Sequence, residues 1–213
     1  MISFNRRVFS ALDRRTGHVM SRLILKQQVL RVGKGDCRII IGAGGIKYSG
    51  WIPTQIQTLN ILKQSDWEKY FIKNSINAMV AEHVWEHLTL TEGKLAASNC
   101  YTYLKADGYV RIAVPDGLHP NPSYIENVRA GGCSPGAKDH KVLYAYKTLF
   151  NVFESAGFEV KLLEYYDESG QFHFRGWDVQ DGFILRSKRY DQRNKNGELN
   201  YTSIILDATK RTS

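Results

Sequence analysis

Long apolar runs are missing from this chain. No stretch approaches the roughly 18 residues that a membrane-spanning helix needs. The opening MISFNRRVF also lacks the apolar core of a secretory signal. Cysteine is scarce and odd in number: Cys37, Cys100 and Cys133 are widely spaced, with no C-x-x-C pair. That counts against a disulfide framework and against a cysteine-held zinc, and reduced thiols make the cytoplasm the expected location. There is no repeat, no low-complexity run and no Pro/Ser-rich linker. At 213 residues, 43% hydrophobic and 23% charged, the chain has the composition of an ordinary globular domain. The body also lacks an excess of charge. Of the 29 Lys/Arg, nine fall in residues 1–38 against two acids, so this segment carries nearly all of the net +8. The rest is close to neutral, which argues against a broad phosphate-binding face and against nucleic acid as the partner.

What is present divides into two regions. Residues 1–36 form a basic segment with apolar positions at helical spacing. Val8, Phe9, Leu12, Val19, Leu23 and Leu30 share a stripe opposite the arginines, and Gly17 is expected to split the helix in two. Residues 37–213 carry short apolar runs at 37–41, 76–81, 109–115, 159–166 and 203–209, which read as strands. Helical patterns at 89–105 and 140–158 separate some of them, and Ala156-Gly157 is a stop signal for the second. Alternating strands and helices imply parallel pairing with right-handed crossovers, hence a doubly wound, mostly parallel Rossmann-like α/β sheet. The polar, aromatic insertion 167–201 holds no convincing helix, and Asn196-Gly197 is a hairpin signal. The last two strands are therefore expected to close the sheet as an antiparallel hairpin.

The first strand of that sheet runs into Gly42-Ala43-Gly44-Gly45. In such sheets ligands lie beyond the carboxyl ends of the strands, and small residues let the backbone approach them. A dinucleotide site would ask for a third glycine where Lys47 stands, and for an acid about 20 residues on. The segment TLNILKQ there has none.

Three further motifs stand in order: GWIPTQ (50–55), EHVWEHL (82–88) and RIAVPD (111–116). Together with the tail ILRSKRYDQRN…LNYTSIILDATK, the chain over about residues 37–210 resembles the class I S-adenosylmethionine-dependent methyltransferases. It looks closest to a bacterial group of small methyltransferases with an E-H-V-x-E-H-L motif. The resemblance implies S-adenosyl-L-methionine as cofactor. Gly42, Ala43 and Gly44 would pass under its methionine part and ribose. Gln55 stands where an acid usually meets the ribose hydroxyls. Leu59, Asn60 and Ile61 would flank the adenine, and Ala81 and Glu82 the methionine side.

Five of the six histidines fall in loops at the expected cofactor rim. His83 is the best candidate base for removing a proton from an acceptor. Asp116 and His140 are further catalytic candidates; helix capping is the plain alternative for each. His119, His173 and Trp177 are candidates for substrate contact, with aromatic packing as the alternative. The order H-x-x-E-H over residues 83–87 does not match the H-E-x-x-H zinc pattern, so no metal is expected. No N-P-P-Y-type motif of amino-methylating nucleic-acid enzymes appears. A small-molecule acceptor, a metabolite, sugar or peptide-derived compound methylated on oxygen or nitrogen, is the leading expectation. A non-catalytic adenosyl-binding or partner-binding protein and a nucleic-acid methyltransferase using the basic arm are the alternatives. The N-terminal segment is expected to be a lid over the cleft, with peripheral membrane contact as its alternative; the oligomeric state is left open.

Overall fold

The computed structural model describes the backbone of residues 3–33, 35–194 and 197–211, with side chains from residue 17 onward. Seven strands form one sheet: β1 (Arg38–Ile41), β2 (Ile52–Pro53), β3 (Ile76–Glu82), β4 (Leu104–Pro115), β5 (Glu159–Tyr166), β6 (Phe172–Phe174) and β7 (Ser203–Thr209). Their spatial order is β2-β1-β3-β4-β7-β5-β6. The first four are parallel, and β7 lies antiparallel between β4 and β5. The expected antiparallel closure is thus present, but not as a tight hairpin. The long 167–201 segment separates β5 from β7 and forms a hairpin of its own, β6 against β5. Asn196, half of the expected turn signal, lies outside the described residues.

The helices are α1 (Ser3–Val32), α2 (Gln64–Glu68), α3 (Leu90–Tyr103), α4 (Pro122–Val128) and α5 (Tyr146–Glu154). α3 starts where the sequence demands: Thr89 accepts from Glu92 N while Glu92 accepts from Thr89 N, a reciprocal cap. The expected helix at 140–158 begins only at Tyr146, because Lys141 N and Val142 N donate to the Glu86 carbonyl and Tyr144 bridges to Asp116, which holds this stretch extended.

Side chains alternate along each strand between two buried clusters. Ile39, Ile41, Met79, Ala81, Ile112, Val114 and Leu206 face one cluster, to which α1, α2's Trp67, α3 and α5 contribute. Ile40, Ala78, Val80, Ala113, Leu163 and Ile205 face the other, which is covered by Trp51, Trp177 and Ile184. The fold is therefore not doubly wound in the expected sense. The second face is closed by the irregular segment 177–190, held down by a buried arginine. Arg111 pairs with Asp207 directly opposite on β7 at 2.7 Å, donates to the Asp178 and Gly182 carbonyls, and lies 4.9 Å from the Trp177 ring. A buried guanidinium persists only when so paired.

α1 is one continuous helix of 30 residues, about 45 Å long at 1.5 Å per residue. Gly17 does not split it: the position has nothing within 4 Å, and an exposed helical glycine costs only about 1 kcal/mol. The face that docks on the body is Leu25 with Val29 and Val32. The described part of the expected stripe points away from it: Val19, Leu23 and Leu30 are 56%, 53% and 69% exposed. The side chains of Val8, Phe9 and Leu12 lie outside the described residues. No described helix is long and apolar enough to cross a membrane.

Candidate active site

Beyond the carboxyl ends of β1 and β3 lies a cleft of about 390 Å³, lined by Ile41, Gly42, Gln55, Leu59, Asn60, Ile61, His83, Val84 and His87 among others. The glycines at its floor have different reasons. Gly42 has φ +62°, and a Cβ there would sit 2.7 Å from Val84 Cγ2. Gly44 and Gly45 also have positive φ, which the turn requires, and a Cβ at either would meet no close protein atom. Ala43 is buried in the second cluster, on the other side of the sheet from the cleft.

The wall at 55–62 is irregular yet tightly held. Thr58 Oγ1 bridges the Gln55 backbone, and Asn60 Oδ1 accepts from Leu62 N. The Ile61 carbonyl accepts from both Trp67 Nε1 and Asn99 Nδ2. Every polar backbone group used in this way is one fewer free to let the loop drift. The apolar Leu59 and Ile61 then line the cleft together with Gln55 and Asn60.

On the other side of His83 opens a larger cavity of about 750 Å³, lined by Asn121, Tyr124, Asn127, His140, Arg186, Arg193, Asn200 and Tyr201. Apart from His83, its side chains come from two distant segments, 121–140 and 186–201. Arg193 is paired with Asp191 at 2.6 Å and stacks 3.4 Å from the Tyr201 ring centroid. Tyr124 donates to the Thr202 carbonyl and accepts from Asp116 N. Asn121 caps α4. The lining is thus amide, phenol and neutralised guanidinium.

His83 occupies the wall between the two. It has φ +55°, a left-handed conformation rare outside glycine, and its N–H is fixed to the Ala113 carbonyl. Its Nδ1 faces Glu86 Oε1 at 3.1 Å, and its Nε2 lies 3.2 Å from Ser203 Oγ. Ser203 donates its own proton to the Arg186 carbonyl, so here Nε2 is the donor to Ser203. Glu86 is 1% exposed, and neither of its carboxylate oxygens has a well-formed hydrogen bond. His140 reaches the same carboxylate from the other cavity, with Nε2 3.9 Å from Oε1.

The remaining candidates are placed elsewhere. Ala81 is fully buried in the first core cluster. Glu82 is a clamp: its carboxylate accepts from Leu185 N and Arg186 N and pairs with the Arg186 guanidinium. Asp116 is fully buried, and accepts from Leu118 N and Tyr166 N at 3.0 and 2.7 Å. It ties the end of β4 to β5 and lines neither cavity. Burial pushes its carboxyl up to about 6, against the pull of those two amides. His119 uses both ring nitrogens on the backbone, at Leu199 O and Asn121 N, and stacks on Tyr124; burial lowers its pKa. It supports the larger cavity's wall from behind. His173 sits on edge strand β6, paired with Asp167 at 2.6 Å and stacked on Tyr165, and lines neither cavity. Trp177 is a core residue of the second face, donating to Glu164. The expected catalytic role of Asp116 and the expected substrate contacts of His119, His173 and Trp177 thus give way to structural ones. Local pattern does not separate an aromatic packed in a core from one facing a ligand. Tyr124, Arg186, Arg193 and Tyr201 were not anticipated, for the converse reason: nothing in their local sequence marks them.

Among solved structures, a SAM-dependent methyltransferase from Archaeoglobus fulgidus matches with a TM-score of 0.50 at 17% identity, over 89% of this chain and 94% of that one. SAM-dependent methyltransferases from Methanosarcina mazei match with a TM-score of 0.50 at 11% identity, over 84% and 94%. No protein-family model and no curated protein matches the chain. The structural neighbours establish the class of fold, a Rossmann-like α/β methyltransferase fold.

Proposed function

We propose that this protein is an S-adenosylmethionine-dependent methyltransferase acting on a small-molecule acceptor through oxygen or nitrogen. One observation carries the reading. Among the described residues lining the cleft and the larger cavity, His83 alone is common to both. The smaller cleft is assigned to the cofactor: Gly42 leaves its floor without a side chain, and in this reading Gln55 meets the ribose and Asn60 and Ile61 the adenine. When bound, the cofactor supplies a methyl group already activated on a sulfonium sulfur. The protein then has to orient the acceptor and accept its proton.

Asn127 and Tyr201 of the larger cavity orient a polar acceptor by hydrogen bonds, while Asn121 and Tyr124, spent on the α4 cap and on backbone groups, hold its wall. His83 handles the proton. At rest its Nε2–H is held by Ser203 Oγ; with the ring proton on Nδ1, toward the buried Glu86 carboxylate, Nε2 is freed to take the acceptor's proton, the division of labour of a carboxylate-oriented imidazole. The lid role of α1 is part of the same proposal. Arg22 donates to the Gln57 carbonyl, on the loop that forms the cleft wall, so the helix is anchored beside the cofactor.

Calorimetric titration with S-adenosylmethionine tests the reading, followed by transfer of labelled methyl to fractionated metabolites. A folded protein that binds no cofactor overturns it. A chain lacking residues 1–31 is expected to keep cofactor affinity within a few-fold while losing acceptor turnover; unchanged turnover removes the lid.

A further inference from the structure

The cluster Glu86, His87 and His140 has a property the proton chemistry at His83 does not use. The 3-10 turn Trp85–His87 carries two of its members, and His140 follows the 3-10 turn Ala137–Asp139. The two turns are tied together by the main chain, since Lys141 N donates to the Glu86 carbonyl at 2.7 Å. One potential ligand atom from each of the three side chains lies within 4.8 Å of the others.

The tautomers are set by the backbone. His140 Nδ1 meets the Val128 carbonyl at 2.7 Å and His87 Nδ1 meets the Asp139 carbonyl at 3.3 Å. A carbonyl oxygen can only accept, so both Nδ1 atoms carry the proton and both Nε2 atoms present lone pairs. The rings meet edge to face at 4.9 Å. An imidazole whose other nitrogen is bonded to a carbonyl is the usual second shell of a metal ligand. Between them, the carboxylate of Glu86 is buried without a well-formed hydrogen bond on either oxygen. A buried anion left so is costly unless a cation or a proton compensates it.

We propose that Glu86, His87 and His140 bind a divalent transition-metal ion of the zinc class. Two imidazoles and one carboxylate are a donor set for zinc, and a poor one for calcium or magnesium, which take oxygen ligands. Three protein ligands leave one position open, and His140 lines the acceptor cavity. The ion therefore stands at the wall between the two cavities. Sequence spacing misses this site because His140 lies more than fifty positions beyond His87, outside any local motif.

The test needs no substrate and does not depend on the methyltransferase reading. Untagged full-length protein, dialysed against Zn²⁺ and then buffer, is expected to retain about one zinc per chain by elemental analysis. Its Co²⁺ form is expected to show the intense visible bands of a four- or five-coordinate ion. His140→Ala and His87→Ala should each weaken zinc affinity by at least about 100-fold, with the circular dichroism spectrum unchanged. His18→Ala, on the exposed part of α1, should keep it. Wild-type protein that retains no zinc and shows only six-coordinate cobalt overturns the proposal. So does a cobalt spectrum that survives in folded His140→Ala. Should Glu86→Gln raise the melting temperature while zinc leaves the wild type's unmoved, the carboxyl is simply protonated and the site is not a metal site.

Discussion

The two cavities that meet at His83 are built in opposite ways. The smaller cleft is largely local. Its floor is the end of β1, its wall is the eight-residue loop 55–62, and its special features are a bare glycine and backbone bonds. The larger cavity is assembled from residues 121–140 and 186–201, brought together only because β7 inserts between β4 and β5. A cleft made of main chain tolerates little change in shape but much change in surrounding sequence. A cavity made of side chains from distant loops can alter its chemistry one residue at a time, which suits an acceptor site.

If that contrast is right, the largest effect belongs to the cleft floor. Gly42→Val forces a branched residue into φ +62° with its Cβ 2.7 Å from Val84. It is expected to abolish measurable cofactor binding by calorimetry; unchanged affinity in a folded variant would break the assignment of the cleft. Next comes the shared wall. His83→Ala is expected to lower turnover by roughly 100-fold, with cofactor affinity changed only a few-fold, read from kcat and from titration separately. His83→Asn, which tolerates the left-handed backbone better, should lose the same turnover with less loss of stability.

Asp116 sharpens the contrast from outside both cavities. Replacing it by Asn turns a donor toward a backbone N–H, and should cost about 1–3 kcal/mol of stability at neutral pH. The titration has a definite sign. The folded protein raises this carboxyl from the ordinary 3.8 to about 6, so between those values the folded state holds more proton than the unfolded one. This group's contribution to stability is therefore greatest below pH 3.8 and is lost as pH rises through about 6. Denaturation of wild type and Asp116→Asn at pH 4 to 7 checks it, since the variant lacks that component. The smallest effect is expected at Gln55. Gln55→Asp should tighten cofactor binding by about 1 kcal/mol, some five-fold, by restoring a charge-assisted bond to the ribose. A loss of affinity would place the ribose elsewhere.

Much of the cleft was readable in the linear chain. A strand that stops at Gly42 and His83 directly after β3 are marked by neighbours within a few residues, because hydrophobic runs and glycine turns are local phenomena, whereas Gln55 stands out only through the family resemblance. The parallel pairing of β1, β3 and β4 follows from the same alternation; the two-residue β2 carries no strand pattern of its own. The helix layer did not follow: strand periodicity tells that both faces are buried, not what buries them. Here Arg111, Asp207 and the 177–190 segment take the place of a second layer of helices.

The histidines make the division plainest. His83, His119, His140 and His173 look alike in sequence, yet one faces two cavities, one is spent on backbone groups, one meets Glu86, and one lies on the edge strand. Which loops become neighbours depends on strand order and on where β7 inserts. Those are long-range pairings, set by the packing of the whole sheet, and they leave no trace at the spacing of a motif.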